Sequence, residues 1–342
     1  MAKAVFLYTE LAGYVMSCLS HFASSGHSVL VFHWPVNPEA PFAIDPMDGV
    51  TFLDRTGMDS DVIRERIEGF GPDVTLCSGW VDKGYLKAIR GSSMNRVLLM
   101  DNQWMPSASQ RLKALVARTF IKPIFTHAWV PGEPQKRYAL AMGFSVDRVH
   151  LGFYTADLTI FNRVFQKRER PEGFPKRLVY MGRYIEHKGI TDLWDAFDVL
   201  SGRFPDWNLF CIGTGDLWNE RREHPRIHHL GFKQPEQLSD VLEQGGVFVL
   251  PSHFEPWGVV VQEMAAAGYP MAVSSSVGAA SAFCSEENSI QFKAADREGL
   301  VQALSAFMSK TDEELWEMSD ASHRIAQVFD HQRWTDTLLD LC

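Results

Sequence analysis

The chain has 342 residues, 46% of them hydrophobic and 22% charged, and a formal net charge of −9. That length exceeds the size at which a single core stops growing, so two domains of an ordinary globular enzyme are expected. The acidic balance argues against general nucleic-acid binding, and no run reaches the ~20 apolar residues of a membrane span.

In chain order, the first apolar run, 4–8, is too short for a signal peptide and reads as a strand. Gly13, in Glu10-Leu11-Ala12-Gly13-Tyr14, closes the loop behind it, and a helix over 14–24 and a strand over 29–32 follow. Asp59-Ser60-Asp61 has D-x-D spacing. It directly precedes the amphipathic start of a helix over 61–70, so N-capping is expected in place of metal binding. Strands over 74–77 and 97–100 and helices over 83–89 and 107–120 come next. A strand over 124–126 and a helix over 133–142 close the first half.

Residues 166–176, charged and rich in Pro and Gly, read as a linker. The alternation then repeats, with strands over 178–181, 209–212, 247–250 and 271–274. Helices are expected over 190–201, 235–244, 259–267 and 297–309. Apolar positions at Trp334, Leu338, Leu339 and Leu341 mark a last helix within 326–342. The pattern predicts an α/β protein of two Rossmann-like, doubly wound domains, 1–165 and 177–325, facing across a cleft.

The richest chemistry lies in the second half. Gly182-Arg183 and Lys188-Gly189 set two cations between a strand and a helix, where backbone N–H groups and the helix dipole favour a diphosphate. Phe254-Glu255-Pro256-Trp257-Gly258 ends a buried strand, and Glu263 lies on the small, apolar helix that follows. Carboxylates are the usual acceptors for sugar and ribose hydroxyls, so one site offering both chemistries fits a nucleotide sugar. No His/Cys cluster has metal-ligand spacing, so no metal and no cofactor are expected beyond the donor substrate. Five scattered cysteines with no C-x-x-C pair suggest reduced thiols in a cytoplasmic protein.

In order and spacing these pieces resemble the retaining glycosyltransferases of family 4, which have the two-domain GT-B fold. The resemblance rests on G-R-x4-K-G from Gly182, G-x-G-D at Gly213 to Asp216, L-G-F at Leu230 to Phe232, P-S-x-x-E-P-W-G at Pro251 to Gly258, and E-x7-E from Glu255 to Glu263. It covers 175–280 well, and the first half only in topology. It implies a metal-independent transfer of a sugar, from a UDP-sugar or next a guanosine donor, to a glycan, lipid-linked or small-molecule acceptor. The leaving phosphate helps to deprotonate the acceptor hydroxyl.

The resemblance also assigns residues. Arg183 and Lys188 hold the diphosphate, Glu255 faces the transferred sugar, and Glu263 holds the ribose hydroxyls. Gly13, Gly182, Gly213, Gly215, the backbone around Trp257, Gly258 and Val259, and the loop carrying Phe232 frame the nucleotide, although the Phe232 ring itself reads as core. Where relatives place two adjacent glycines this chain has only Gly13, and in place of an acceptor histidine it has Asp101, with His127 as a substitute. The alternatives are an epimerase of the same fold and a catalytically silent nucleotide-sugar-binding protein. The helix over 107–122 carries Arg111, Lys113, Arg118 and Lys122 with no acid and an apolar face through Leu112, Leu115 and Val116. It is read as a domain helix burying that face, the alternative being a basic surface that meets anionic membrane lipid.

Overall fold

The computed structural model describes residues 1–35, 45–170 and 172–342. The chain forms two units, Met1–Asp157 with Phe329–Cys342, and Leu158–Val328. Each is built on a parallel sheet.

In unit 1 the described strands are β1 (Lys3–Leu7), β2 (Ser28–His33), β3 (Val50–Asp54), β4 (Val74–Ser78), β5 (Asn95–Leu99), β6 (His127–Val130) and β7 (Val149–Leu151). Their order is β3-β2-β1-β4-β5-β6-β7, every pair parallel. Successive side chains on a strand face opposite ways, so each central strand feeds two cores. Val5 and Leu7 pack with Tyr85, Ala114 and Tyr138 on one face, and Ala4 and Phe6 with Leu19, Phe22 and Trp334 on the other.

Trp334 explains why the C-terminus belongs to unit 1. Its ring centroid lies 5.0 Å from Trp129 and 6.0 Å from Phe6, and its indole N–H donates to Phe153 O at 3.0 Å. The helix His331–Asp340 thereby covers the helix Gly13–Ser24 side of the sheet. Asp330 starts it by accepting from the Arg333 N–H at 2.7 Å.

Unit 2 holds β8 (Arg177–Met181), β9 (Asn208–Ile212), β10 (Ile227–Gly231), β11 (Val247–Leu250), β12 (Met271–Ser274) and β13 (Ser289–Phe292), ordered β10-β9-β8-β11-β12-β13. The segment 166–176 is not a spacer between the units. The helix Leu158–Lys167 already belongs to unit 2, burying Leu158, Phe161 and Val164. Arg168 is fixed by donating to Gly268 O at 2.8 Å and Ala267 O at 2.6 Å. Composition marked the segment as loose, but tertiary hydrogen bonds hold it. Pro171 lies outside the described residues.

Two local expectations change and one holds. The strand expected over 124–126 is a 3-10 turn, Lys122–Ile124, and β6 begins at His127. Asp59 caps its helix, its Oδ1 accepting from the N–H groups of Asp61 and Val62, both at 2.9 Å. The helix Ala108–Phe120 buries Ala114 and Ala117 and leaves Leu112, Leu115, Val116 and Phe120 exposed, the reverse of the expected orientation.

Candidate active site

In unit 2 the strand order reverses between β8 and β11, which lie side by side with earlier strands on one flank and later ones on the other. A crevice opens beyond the carboxyl ends of strands at such a point. The loops after β8 and β11 meet there. Lys188, closing the turn Glu186–Lys188, forms an ion pair with Glu255, and their side chains are only 15% and 12% exposed. Two charges so far removed from water need one another, and the pairing fixes both in place.

Glycine lets the loops approach. Gly189 has φ +67°, and a Cβ there would lie 2.2 Å from Pro251 O. A Cβ on Gly213 would lie 2.0 Å from Gly182 O, and one on Gly215 2.6 Å from Tyr184 O. Backbone bonds lace the same loops, Gly182 N–H to Ile212 O at 3.0 Å and Tyr184 N–H to Thr214 O at 2.9 Å. Gly258, at φ +91°, leaves room for the Glu255 side chain, whose Cγ would stand 2.9 Å from its Cβ. The Glu255 backbone is held by its N–H to Ser276 O at 3.3 Å and by Gly278 N–H to its carbonyl at 3.1 Å.

Trp257 is buried, edge-on to Phe283 with centroids 6.1 Å apart, so the ring anchors the loop and its backbone is what remains for a ligand. Val259 follows as the residue before the helix Val260–Ala266. On that helix Glu263 is half-buried, and among the described residues no side chain or backbone group pairs with its carboxyl. Desolvation pushes it up to about 7, so near neutrality it holds a proton about half the time.

Arg183 is exposed at the mouth of the β8 loop, its carbonyl fixed by the Tyr180 hydroxyl at 2.7 Å. His187 beside it is lowered, first by desolvation and then by the Lys188 and Arg183 charges, so this corner is electropositive. Phe232, expected in the core, is 66% exposed. It follows the edge strand β10, where no layer covers it. Trp218 lies beside that loop, 3.8 Å from the place a Cβ would take on Gly231, and is an aromatic the motif reading passed over.

In unit 1, Gly13 opens the helix after β1, and the next residue, Tyr14, lies edge-on to Tyr154 at 5.0 Å. The Tyr154 hydroxyl donates to Asp101 Oδ2 at 3.4 Å, so Asp101 and two tyrosines gather at the carboxyl edge of the sheet. His127 does not join them. It pairs in register with Val97 at the start of β6, towards the amino edge, and its Nε2 accepts from Arg148 at 2.7 Å. Desolvation, then Arg148, pushes it down to about 4, which is the behaviour of a neutral structural histidine.

A group that no motif signalled lines a depression of about 470 Å³ beyond β2, β3 and β4, with Trp34, Arg55, Asp82 and Lys83 around it. Asp82 accepts from Arg55, from the Trp34 indole N–H at 2.9 Å and from Gly84 N–H at 2.8 Å. Burial raises its carboxyl, but these donors outweigh burial and leave it lowered. An aromatic face beside a fixed carboxylate and guanidinium suits a sugar ring, and the volume falls in the range of small-molecule sites.

Comparison with known proteins bears on the second unit most directly. Residues 162–324 match the family of glycosyl transferases group 1. This part of the chain belongs to that family. The group 1 glycosyltransferase segment contains Arg183, Lys188, Glu255 and Glu263. Glycogen synthase of Mycobacterium tuberculosis is 29% identical over 170 residues, 48% of this chain and 41% of that protein. Phosphatidyl-myo-inositol mannosyltransferase of the same organism is 30% identical over 119 residues, 32% of each chain. The chain spans less than half the length of the curated relatives it matches.

Solved structures extend the likeness to both units. Anabaena HepE in complex with UDP and glucose superposes with a TM-score of 0.73 at 14% identity, covering 99% of each chain. Sucrose-phosphate synthase of Thermosynechococcus elongatus gives 0.73 at 17% identity, covering 100% of this chain and 98% of that one. At such identities the likeness is one of fold, and the fold is GT-B.

Proposed function

We propose that the protein is a retaining, metal-independent glycosyltransferase that moves a sugar from a UDP-sugar to a hydroxyl of a glycan, lipid-linked or small-molecule acceptor. Assembly of a polysaccharide or glycolipid is the corresponding setting. The observation that carries this reading is the Lys188–Glu255 pair at the point of strand reversal, with Glu263 on the helix that follows. The donor diphosphate competes with Glu255 for the Lys188 ammonium, and Arg183 supplies a second cation at the mouth. Negative charge grows on the diphosphate as the glycosidic bond breaks, and fixed cations aimed at it lower that barrier.

Glu255, released from part of its pairing, accepts from hydroxyls of the transferred sugar, and Glu263 accepts from the ribose. Gly182, Gly213 and Gly215 let the backbone approach the nucleotide, and the N–H groups around Gly258 and Val259 add to phosphate binding. The likeness to HepE, solved with UDP and glucose, supports UDP as the first nucleotide to test. On the acceptor side the reading uses Asp101 with Tyr14 and Tyr154, because they share the carboxyl edge of the unit 1 sheet.

The experiment is a panel of UDP- and GDP-sugars scored by thermal stabilisation, followed by transfer with the stabilising donor and NMR of the product's anomeric configuration. A ligand of the native state raises the melting temperature by mass action. Absence of any shift across the panel refutes donor binding, and an inverted anomer refutes retention.

A further inference from the structure

The helix Ala108–Phe120 is built inside out. At 100° per residue Ala114 and Ala117 point one way and are buried, at 3% and 4% exposure. Leu112, Leu115, Val116 and Phe120 point the other way and are 63%, 60%, 49% and 64% exposed. Met105, just before the helix, adds a further 51% exposed side chain. Single exposed apolar residues need no explanation, but a contiguous row of large ones on one helix face marks a contact surface.

Charge identifies the occupant. Arg111 and Arg118 border the apolar row on one side and Lys113 on the other, with Lys122 just beyond the helix end. Among the described residues none of the four forms an ion pair with a carboxylate. No Asp or Glu occurs between Asp101 and Glu133, in a chain whose net charge is −9. A second copy docked through this face about a two-fold axis would set cationic borders against cationic borders with no acid between them. A nucleic acid would meet an apolar row where it needs cations. An anionic bilayer satisfies both features, because the apolar row enters the acyl boundary while the long cationic side chains reach up to the phosphates.

We propose that this face docks unit 1 on an anionic phospholipid surface, placing the acceptor edge of the sheet beside lipid-linked sugars. The idea rests on the transferase reading for its purpose, although docking is measured without turnover.

The test is co-sedimentation of the full chain with phosphatidylcholine vesicles, with and without phosphatidylglycerol, at low and high salt. Binding should require the anionic lipid and weaken with salt, since exposed charges are screened. Replacing Arg111 and Lys113 by Gln together should reduce binding roughly 30-fold, at about fivefold for each cation near the surface. Leu115→Ser with Phe120→Ser should reduce it at least tenfold, an order-of-magnitude expectation for removing buried apolar area. Both double variants should keep the parent melting temperature and UDP affinity, because the side chains are exposed. UDP binding that persists while vesicle binding is absent overturns the docking proposal and leaves the transferase reading intact. Vesicle binding unaffected by the serine variant overturns it too, as does a concentration-dependent dimer that the serine variant abolishes.

Discussion

Replacing Glu263 by Gln tests the donor site through two effects of opposite sign. Burial without a partner raises the carboxyl from 4.5 to about 7 in the folded protein. The folded state therefore holds a proton that the unfolded state has already lost, and stability falls as pH rises from 4.5 to 7, then stays level. Between pH 5.5 and 8 this group removes about 2 kcal/mol from the parent, and Glu263→Gln, which carries no titrating group, escapes that loss. Urea unfolding of the two proteins at both pH values measures it, the variant gaining on the parent as pH rises. Donor binding should move the other way. In the proposed site ribose hydroxyls donate to the ionised carboxylate, so binding at pH 6 should release roughly one proton, readable by calorimetry in buffers of different ionisation enthalpy. The variant should release none and bind the donor about 1.5–3 kcal/mol more weakly. Parallel pH–stability curves would refute the desolvated carboxyl, and unchanged affinity would remove Glu263 from the donor site.

Lys188→Ala removes the ammonium paired with Glu255 and should cut kcat by roughly 10²–10³ while UDP affinity falls less. Adding Glu255→Gln should not multiply the loss, so a fully additive double-mutant cycle would contradict the pairing. Gly213→Ala forces a Cβ towards Gly182 O at φ +128°, and a loss of about 3 kcal/mol or more is expected on chemical denaturation. Near-parent stability of that variant would show that the β8 and β9 loops do not need their close approach. Under the proposed function, in which Arg183 and Lys188 stand in for a metal, transfer should survive EDTA. Activity lost on chelation and restored by manganese would overturn that role.

The four strands that sequence patterning passed over, β3, β7, β10 and β13, are the four sheet edges. Central strands such as β8 and β11 are covered on both faces and read as unbroken apolar runs, whereas an edge strand such as Val50–Asp54 alternates irregularly with polar residues. Local chemistry was likewise legible. Asp59 as a cap, the glycines of the β8, β9 and β11 loops, and the order of cations and carboxylates follow from residue type and spacing.

What depends on partners distant in sequence was settled only by folding. The pairing of Lys188 with Glu255 joins residues 67 positions apart, and the solitude of Glu263 is a property of its surroundings. His127 and Asp101 look equivalent as residues following strands, but sheet register sets them towards opposite edges. The helix Ala108–Phe120 shows the limit most clearly. Periodicity established two faces, and only the folded unit shows that the alanines join the buried core while the leucines stay outward. An amphipathic pattern states that two faces differ, and close packing against neighbours chooses which of them is buried.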